Sequence, residues 1–195
     1  MATENLQPQI ISRILKEVRQ LVKSPPDGIV YMENENSTVS EIFATITGPD
    51  DTPFTGGKFL VKLVLSEDYP SSPPKGYFIT RIYHPNVSNH GDICVNTLKR
   101  DWNADVTLVH VLQVIRCLLI VPFPESSLND EAGKLFMESY EEYAKRARVM
   151  TQVHASDAEE CRKESRERER ERERKGRMCM YVCVCERERE KGERE

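Results

Sequence analysis

The sequence predicts an α+β fold, in which a four-stranded antiparallel meander lies between an N-terminal helix and a set of later helices. Three observations indicate this. Apolar residues recur at three- and four-residue steps near both ends of the first 155 residues, four β-rich runs follow one another between them, and short polar turns separate those runs. Parallel strands need long crossover connections, so short turns favour antiparallel pairing.

The first helix is predicted over residues 8–23, where the apolar positions are Ile10, Ile11, Ile14, Leu15, Val18, Leu21 and Val22. Pro8 suits a first helical turn, and Ser24-Pro25-Pro26-Asp27-Gly28 ends the helix. The predicted strands then span 29–34, 39–47, 58–66 and 76–81. The third strand alternates only partly between apolar and polar residues, which predicts a central strand with a well-covered face.

Three helices are predicted after the strands. Residues 107–121 are strongly apolar, and we expect this central helix to pack across the sheet through Leu108, Leu112, Ile115 and Leu119. Cys117 is interpreted as a core residue of that helix, and His110 as a structural or surface residue. Pro122 and Pro124 end the helix. A short helix over 128–139 follows, and the capping-box pattern Ser139-x-x-Glu142 opens a last helix that reaches about residue 155.

Length and charge divide the chain into a catalytic domain over 1–155 and a tail over 156–195. The chain has 195 residues and is 38% hydrophobic, which suits one core with an appendage. The first part holds 15 basic and 19 acidic residues and the tail 13 of each, so no basic face indicates nucleic acid as a partner. No leader and no long apolar run is visible, so we expect no membrane and an intracellular protein of cytoplasm and nucleus.

The tail has an unusual composition. Residues 166–174 alternate Arg and Glu, and an apolar run with Cys179, Cys183 and Cys185 follows. Such a segment is either disordered or a charged helix. Three thiols without a second pair do not complete a tetrahedral zinc site, so no metal is expected. Of the six cysteines only Cys94 and Cys117 fall in the domain, which excludes a secreted disulfide framework.

One thiol is the candidate chemical centre. Cys94 lies eight residues after Asn86 in the run Tyr83-His84-Pro85-Asn86-Val87-Ser88-Asn89-His90-Gly91-Asp92-Ile93-Cys94-Val95-Asn96. A thiolate can hold an acyl group, and an amide on a turn made rigid by Pro85 can donate to the oxyanion that forms when the carbonyl is attacked. The alternative is that Cys94, between Ile93 and Val95, is a buried small apolar residue.

This run resembles the ubiquitin-conjugating enzymes, and so do its surroundings. Leu98 and Asp101-Trp102 follow it, and Asp68-Tyr69-Pro70-Ser71-Ser72-Pro73-Pro74-Lys75 precedes it. The resemblance implies the ubiquitin-conjugating fold and a Cys94 thioester with ubiquitin's C-terminal glycine, received from the activating enzyme and passed to a lysine. It also implies that Asn86 serves the oxyanion or supports the loop, that His84 and Pro85 hold the loop, and that Tyr83 and Leu98 line the approach. The resemblance further implies that no cofactor is bound, because the activating enzyme consumes the ATP.

Residues 124–133 and 140–144 look most like the S-type group of that family, whose members extend ubiquitin chains with the anaphase-promoting complex as ligase. Many family members carry acidic residues that position the incoming lysine, where this chain has Asn96 and Ser126. The resemblance to the S-type group implies that the acceptor ubiquitin itself supplies part of this help to the incoming lysine, which favours the lysine at ubiquitin's eleventh residue. Ser71 and Asn103-Ala104-Asp105 also depart from the common ligase-docking residues.

Two other functions stay open at this point. The chain can be a conjugating enzyme for another ubiquitin-like modifier, since fold and thiol would be shared. It can also be a non-catalytic binding module of the same fold, although the presence of Cys94 argues against that class.

Overall fold

The computed structural model describes residues 7–33, 38–94, 98 and 102–156. Helix α1 spans Pro8–Lys23, as predicted, with Pro8 in its first turn. Its inner face buries Ile14 and Leu21 together with the charged Glu17. The predicted tail, apart from Ser156, lies outside the described residues.

The sheet has the predicted antiparallel meander, with strand order β1-β2-β3-β4. The strands span Ile29–Met32 (β1), Glu41–Thr47 (β2), Lys58–Val64 (β3) and Lys75–Phe78 (β4). Val61 in β3 lies opposite Ala44 on one side and Phe78 on the other, so β3 is an interior strand, as its pattern indicates.

The last strand is shorter than predicted at its C-terminal end. Ile79 and Thr80 both donate their N–H groups to the Leu60 carbonyl, at 2.8 and 3.3 Å, and the Thr80 hydroxyl accepts from the Leu60 N–H. These bonds replace the regular ladder, in which each carbonyl takes one N–H from its partner strand. The chain therefore leaves the sheet after Phe78 and enters the connection that contains Cys94.

Helix α2, Leu108–Leu118, begins at the Thr107 cap and packs centrally. The predicted inner-face residues are all buried: Leu108, Leu112, Ile115 and Leu119. His110 is exposed on the surface of the helix. The prediction for Cys117 was wrong, because its side chain is exposed. Two residues beyond Ile115, it lies about 200° further around the helix and faces away from the core.

Helices α3, Asp130–Glu138, and α4, Tyr140–His154, complete the fold, and Ser139 alone separates them. The predicted capping box was wrong, because the Ser139 side chain accepts no capping hydrogen bond. Its backbone serves both helices: the N–H donates to Leu135 O of α3, and the carbonyl accepts from Tyr143 N of α4. Within the described ranges, no helix combines the length and apolar character that a membrane crossing requires.

The end of α4 is fastened to the sheet. Ala155 follows the helix and is fully buried, and its carbonyl accepts the Lys58 N–H of β3 at 2.8 Å. The described domain therefore ends on a hydrogen bond to its own central sheet.

Candidate active site

Cys94 lies at the end of a tight loop between β4 and α2. Its N–H donates to the Asn86 carbonyl at 3.1 Å, and its side chain is 5% exposed. The preceding residue, Ile93, is buried, and its N–H donates to Gly76 O of β4 at 3.0 Å. The sheet and Asn86 together hold the backbone that leads into Cys94.

The loop before Cys94 is closed by local bonds. The Ser88 hydroxyl donates to Asp92 Oδ2 at 2.6 Å and accepts the N–H groups of His90 and Asp92. Gly91 has a φ of +95°, and a Cβ at this position would lie 2.2 Å from Phe78 O. Only glycine fits there without moving the backbone, since both the positive φ and the close approach exclude a side chain. The loop that leads to Cys94 is thus rigidly placed against β4.

His84 is fully buried, and both of its ring nitrogens are engaged. Nδ1 lies 3.0 Å from the Asn86 N–H, which must donate to it, so Nε2 carries the proton and donates to Leu118 O at 3.0 Å. Burial lowers the pKa of His84 from 6.5 to about 4. The neutral ring therefore joins the end of α2 to the loop, and neither nitrogen is free to take a proton from Cys94.

Asn86 is fully buried, and its side-chain amide joins the Cys94 loop to a second loop, residues 123–129. Nδ2 donates to Phe123 O at 2.6 Å and to Ser126 O at 3.0 Å, while Oδ1 accepts the Phe123 N–H at 2.8 Å. Both hydrogens of the Asn86 amide are therefore already donated to backbone carbonyls of the second loop. To donate to an oxyanion, Nδ2 would have to give up one of these bonds.

Of the other predicted site residues, Pro85 and Ser126 lie beside Asn86, whereas Tyr83 turns away from it. Pro85 is buried, and its carbonyl accepts from the 123–129 loop. Tyr83 turns towards α4, with its ring 6.0 Å from that of Tyr143, and burial together with the charge of Glu131 raises its pKa. Ser126 is half-buried in the second loop, within reach of Asn86. Asn96 lies outside the described residues.

Leu98 is part of the hydrophobic core and is 7% exposed. A Cβ on Gly76 would lie 3.3 Å from its methyl group, so Leu98 packs closely on β4. Most of its side chain therefore supports the sheet, and little of it is left to line an approach to the thiol.

Sequence reasoning missed a buried carboxylate that fixes the start of α2. Glu17 accepts from Arg13 Nε at 2.7 Å, from the Tyr69 hydroxyl, and from the Leu108 N–H at 2.8 Å. Burial, together with this carboxylate, raises the pKa of Tyr69. The available signal was a charged residue on the apolar face of α1, between Ile14 and Leu21.

A cavity of about 570 Å³ lies along α4, where Tyr83 meets that helix. Its lining residues are Tyr83, Glu142, Lys145, Arg146, Val149 and Met150. Neither Cys94 nor Asn86 is among them, so this cavity is separate from the thiol.

Comparison with known proteins gives one consistent result. The family model described as ubiquitin-conjugating enzyme matches residues 13–151. The chain is 56% identical over 152 residues to ubiquitin-conjugating enzyme E2 S-B of Xenopus laevis, covering 78% of this chain and 72% of that protein. It is 55% identical to ubiquitin-conjugating enzyme E2 S of Branchiostoma floridae, with 78% and 71% covered. It is also 55% identical to ubiquitin-conjugating enzyme E2 22 of Arabidopsis thaliana, with 79% and 61% covered.

The buried neutral His84 predicts a loss of stability in mild acid. Its folded-state pKa of about 4 lies below the unfolded value of 6.5, so the unfolded chain takes up the proton first as the pH falls. Its contribution is complete above pH 6.5 and declines as the pH falls towards 4. Between pH 7.5 and 5 the free energy of unfolding should fall by about 2 kcal/mol from this group. Urea unfolding at both pH values measures it.

His84→Asn is the matched comparison, because its amide oxygen can still accept the Asn86 N–H but does not titrate. We expect this variant to be less stable at pH 7.5 and to lose less free energy on acidification. Equal losses in the two proteins would mean that carboxylates, and not His84, cause the acid sensitivity.

Proposed function

The chain belongs to the ubiquitin-conjugating enzyme family, and on that premise we propose that Cys94 accepts ubiquitin as a thioester and passes it to lysine on a growing ubiquitin chain. The family's enzymes are transferases that work with ubiquitin, an activating enzyme and a ligase. For this chain we further propose the S-type activity, with the anaphase-promoting complex as ligase and the lysine at ubiquitin's eleventh residue as the acceptor.

The proposed reaction has two acyl transfers. In the first, the Cys94 thiol gives its proton to solvent, the thiolate Sγ forms a bond to the carbonyl carbon of ubiquitin's terminal glycine, and the C–S bond to the activating enzyme breaks, which releases that enzyme's cysteine as a thiolate. In the second, an uncharged lysine nitrogen attacks the same carbon, the C–S bond breaks, and the amine proton passes to solvent. Neither step needs a bound cofactor, since ATP is consumed earlier by the activating enzyme.

The observation that carries the proposal is the placement of Cys94 at the end of a rigid loop, with its backbone bonded to Asn86. A nucleophile on a loop fixed by its neighbours keeps one position while the acyl group is exchanged. Among the described residues around it, His84 has no free nitrogen to act as a base. The proposed loading step therefore uses no proton transfer to His84, and its leaving group is another thiolate.

For Asn86 we propose loop support as the main role. Its amide makes three hydrogen bonds to the 123–129 loop, and a buried amide that loses its partners is costly. An oxyanion role would require one of these bonds to break during every transfer. The two roles predict different kinetics, because support affects each reaction of Cys94 whereas oxyanion donation to the lysine reaction affects only the discharge.

The linkage proposal is based on what the site lacks. A lysine with a pKa near 10.4 is almost fully protonated at neutral pH, and Ser126 stands where many family members have an acidic residue that helps the incoming amine. The acceptor ubiquitin would then supply the help to its own lysine that an acidic residue gives in those family members. Two of the relatives reported above are named as E2 S enzymes, which supports the same group.

A modifier other than ubiquitin is the second candidate. The test is incubation with the activating enzyme, ATP and either ubiquitin or the other modifier, followed by electrophoresis without reductant. A band sensitive to reductant with ubiquitin alone supports the proposal. Such a band with the other modifier alone, or no band at all, contradicts it.

Cys94→Ser should form an ester with ubiquitin that survives thiol reductant and transfers no ubiquitin to lysine, because oxygen replaces the sulfur leaving group. Electrophoresis with and without reductant measures this. Cys117→Ser is the control, since that thiol is free and exposed on α2. It should load and transfer normally. A reductant-sensitive band in Cys94→Ser would show that another cysteine is the acceptor.

Asn86→Ala should lower both the rate of loading and the rate of discharge, and it should also lower the melting temperature. The change removes the side-chain acceptor of the Phe123 N–H and the side-chain donor to the Ser126 carbonyl, at about 1–3 kcal/mol. Single-turnover loading and discharge assays separate the two rates. Normal loading with a discharge slowed by about a hundredfold or more would instead indicate an oxyanion donor.

Chain synthesis should depend on the acceptor lysine. With a ubiquitin whose lysine at the eleventh residue is replaced by arginine, we expect most chain formation to be lost in a ligase-free assay. Ubiquitins with the same replacement at each other lysine are the controls, and mass spectrometry identifies the linkages. Equal chain formation from all of them would contradict the linkage proposal and leave the thioester proposal intact.

A further inference from the structure

The 123–129 loop is fastened to one carbonyl beside the active site. Pro85 O accepts the Leu128 N–H at 2.8 Å and the Asn129 N–H at 3.0 Å, and the Ser127 hydroxyl lies 3.2 Å from the same oxygen. Backbone N–H groups donate the first two bonds, so any residue other than proline could make them at these positions. The Ser127 hydroxyl has one proton, which it can donate to Pro85 O or to the nearer Asn129 O at 2.9 Å, and it is the part of this attachment that a side-chain substitution removes.

Helix α3 holds the Ser127 hydroxyl from the other side. A Cβ at Gly133 would lie 2.6 Å from Ser127 Oγ and 3.1 Å from its Cβ. The Gly133 N–H donates to Asn129 O, which is also 2.9 Å from the hydroxyl. Ser127 therefore lies between Pro85 and the first turn of α3, and the missing side chain at Gly133 provides the space for it.

Asn86 connects this attachment to the thiol. Its carbonyl accepts the Cys94 N–H, and its amide donates to Ser126 O, next to Ser127. Asn86 thus links the backbone of Ser126 to the backbone of Cys94 through one hydrogen bond to each. A displacement of the 123–129 loop away from Pro85 would alter where Ser126 stands relative to the thioester, while the bond between Cys94 and Asn86 remains.

We propose that Ser127 is a positioning residue for the transfer step, which holds the 123–129 loop against Pro85 and so places Ser126 for the incoming lysine. The inference rests on the proposed function, because it assumes a Cys94 thioester. When this hydroxyl is lost, the Asn86 amide and the two backbone bonds to Pro85 O still hold the loops together, so the thiol keeps its position and loading should not depend on the hydroxyl. Discharge to lysine requires the loop and should depend on it.

The contact with Gly133 provides two independent ways to disturb the hydroxyl. Ser127→Ala removes it, and Gly133→Ala displaces it through the added methyl group. Alanine is favoured over glycine inside a helix, so Gly133→Ala gains helix stability that offsets the steric conflict. A general loss of stability and a specific loss of positioning are therefore separated by this variant.

The experiment measures the discharge of preloaded thioester to free lysine over a range of lysine concentrations, together with loading rates and melting temperatures. Each single variant should lower the maximal discharge rate by about 2- to 13-fold, the range for losing one hydrogen bond. Loading should remain at the wild-type rate, and the melting temperature of Gly133→Ala should remain close to that of the wild type. The double variant should be no slower than the slower single variant, because both changes remove the same contact.

Ser12→Ala, at an exposed position on α1, is the control and should discharge normally. Three results would each overturn the role of Ser127. The single variants could both discharge at the wild-type rate, or the double variant could slow by the product of the two single effects. Loading could also slow in step with discharge. If the wild-type protein itself forms no reductant-sensitive adduct, the proposed function fails along with this inference. Normal wild-type loading with unaltered variants would overturn the inference alone.

Discussion

The arrangement around Cys94 depends on the buried amide of Asn86. With no solvent to replace a lost partner, its hydrogen bonds fix two separate loops in one relative position. The loop before Cys94 is held through the Asn86 backbone, and the 123–129 loop through its side chain. A residue that makes both sets of bonds cannot adapt to a change in one loop without straining the other.

The same principle secures the central helix at both ends. At its start, the Leu108 N–H donates to the buried Glu17 carboxylate, and at its end the Leu118 carbonyl accepts from His84. Apolar packing is tolerant of small sliding movements, whereas a buried polar pair has one satisfactory geometry. These two bonds therefore fix the position of α2 along its axis, and with it the position of the loop that His84 supports.

The sequence predicted what depends on local pattern. The bounds of α1, the meander and the inner face of α2 follow from apolar spacing and turn residues within short windows. Cys117 was placed wrongly because its type is usually buried, although its angle around the helix points outward. The partners of Asn86 lie 37 and 40 residues further along the chain. No local pattern contains that information, and the same holds for Glu17 and its bond to Leu108.

The bond between Lys58 of β3 and the Ala155 carbonyl determines where the rest of the chain begins. An ordinary helix end frays, and a segment attached to it starts from a fluctuating point. Here the last buried residue of the described domain is bonded to an interior strand, so the last turn of α4 cannot fray without breaking a hydrogen bond to the sheet.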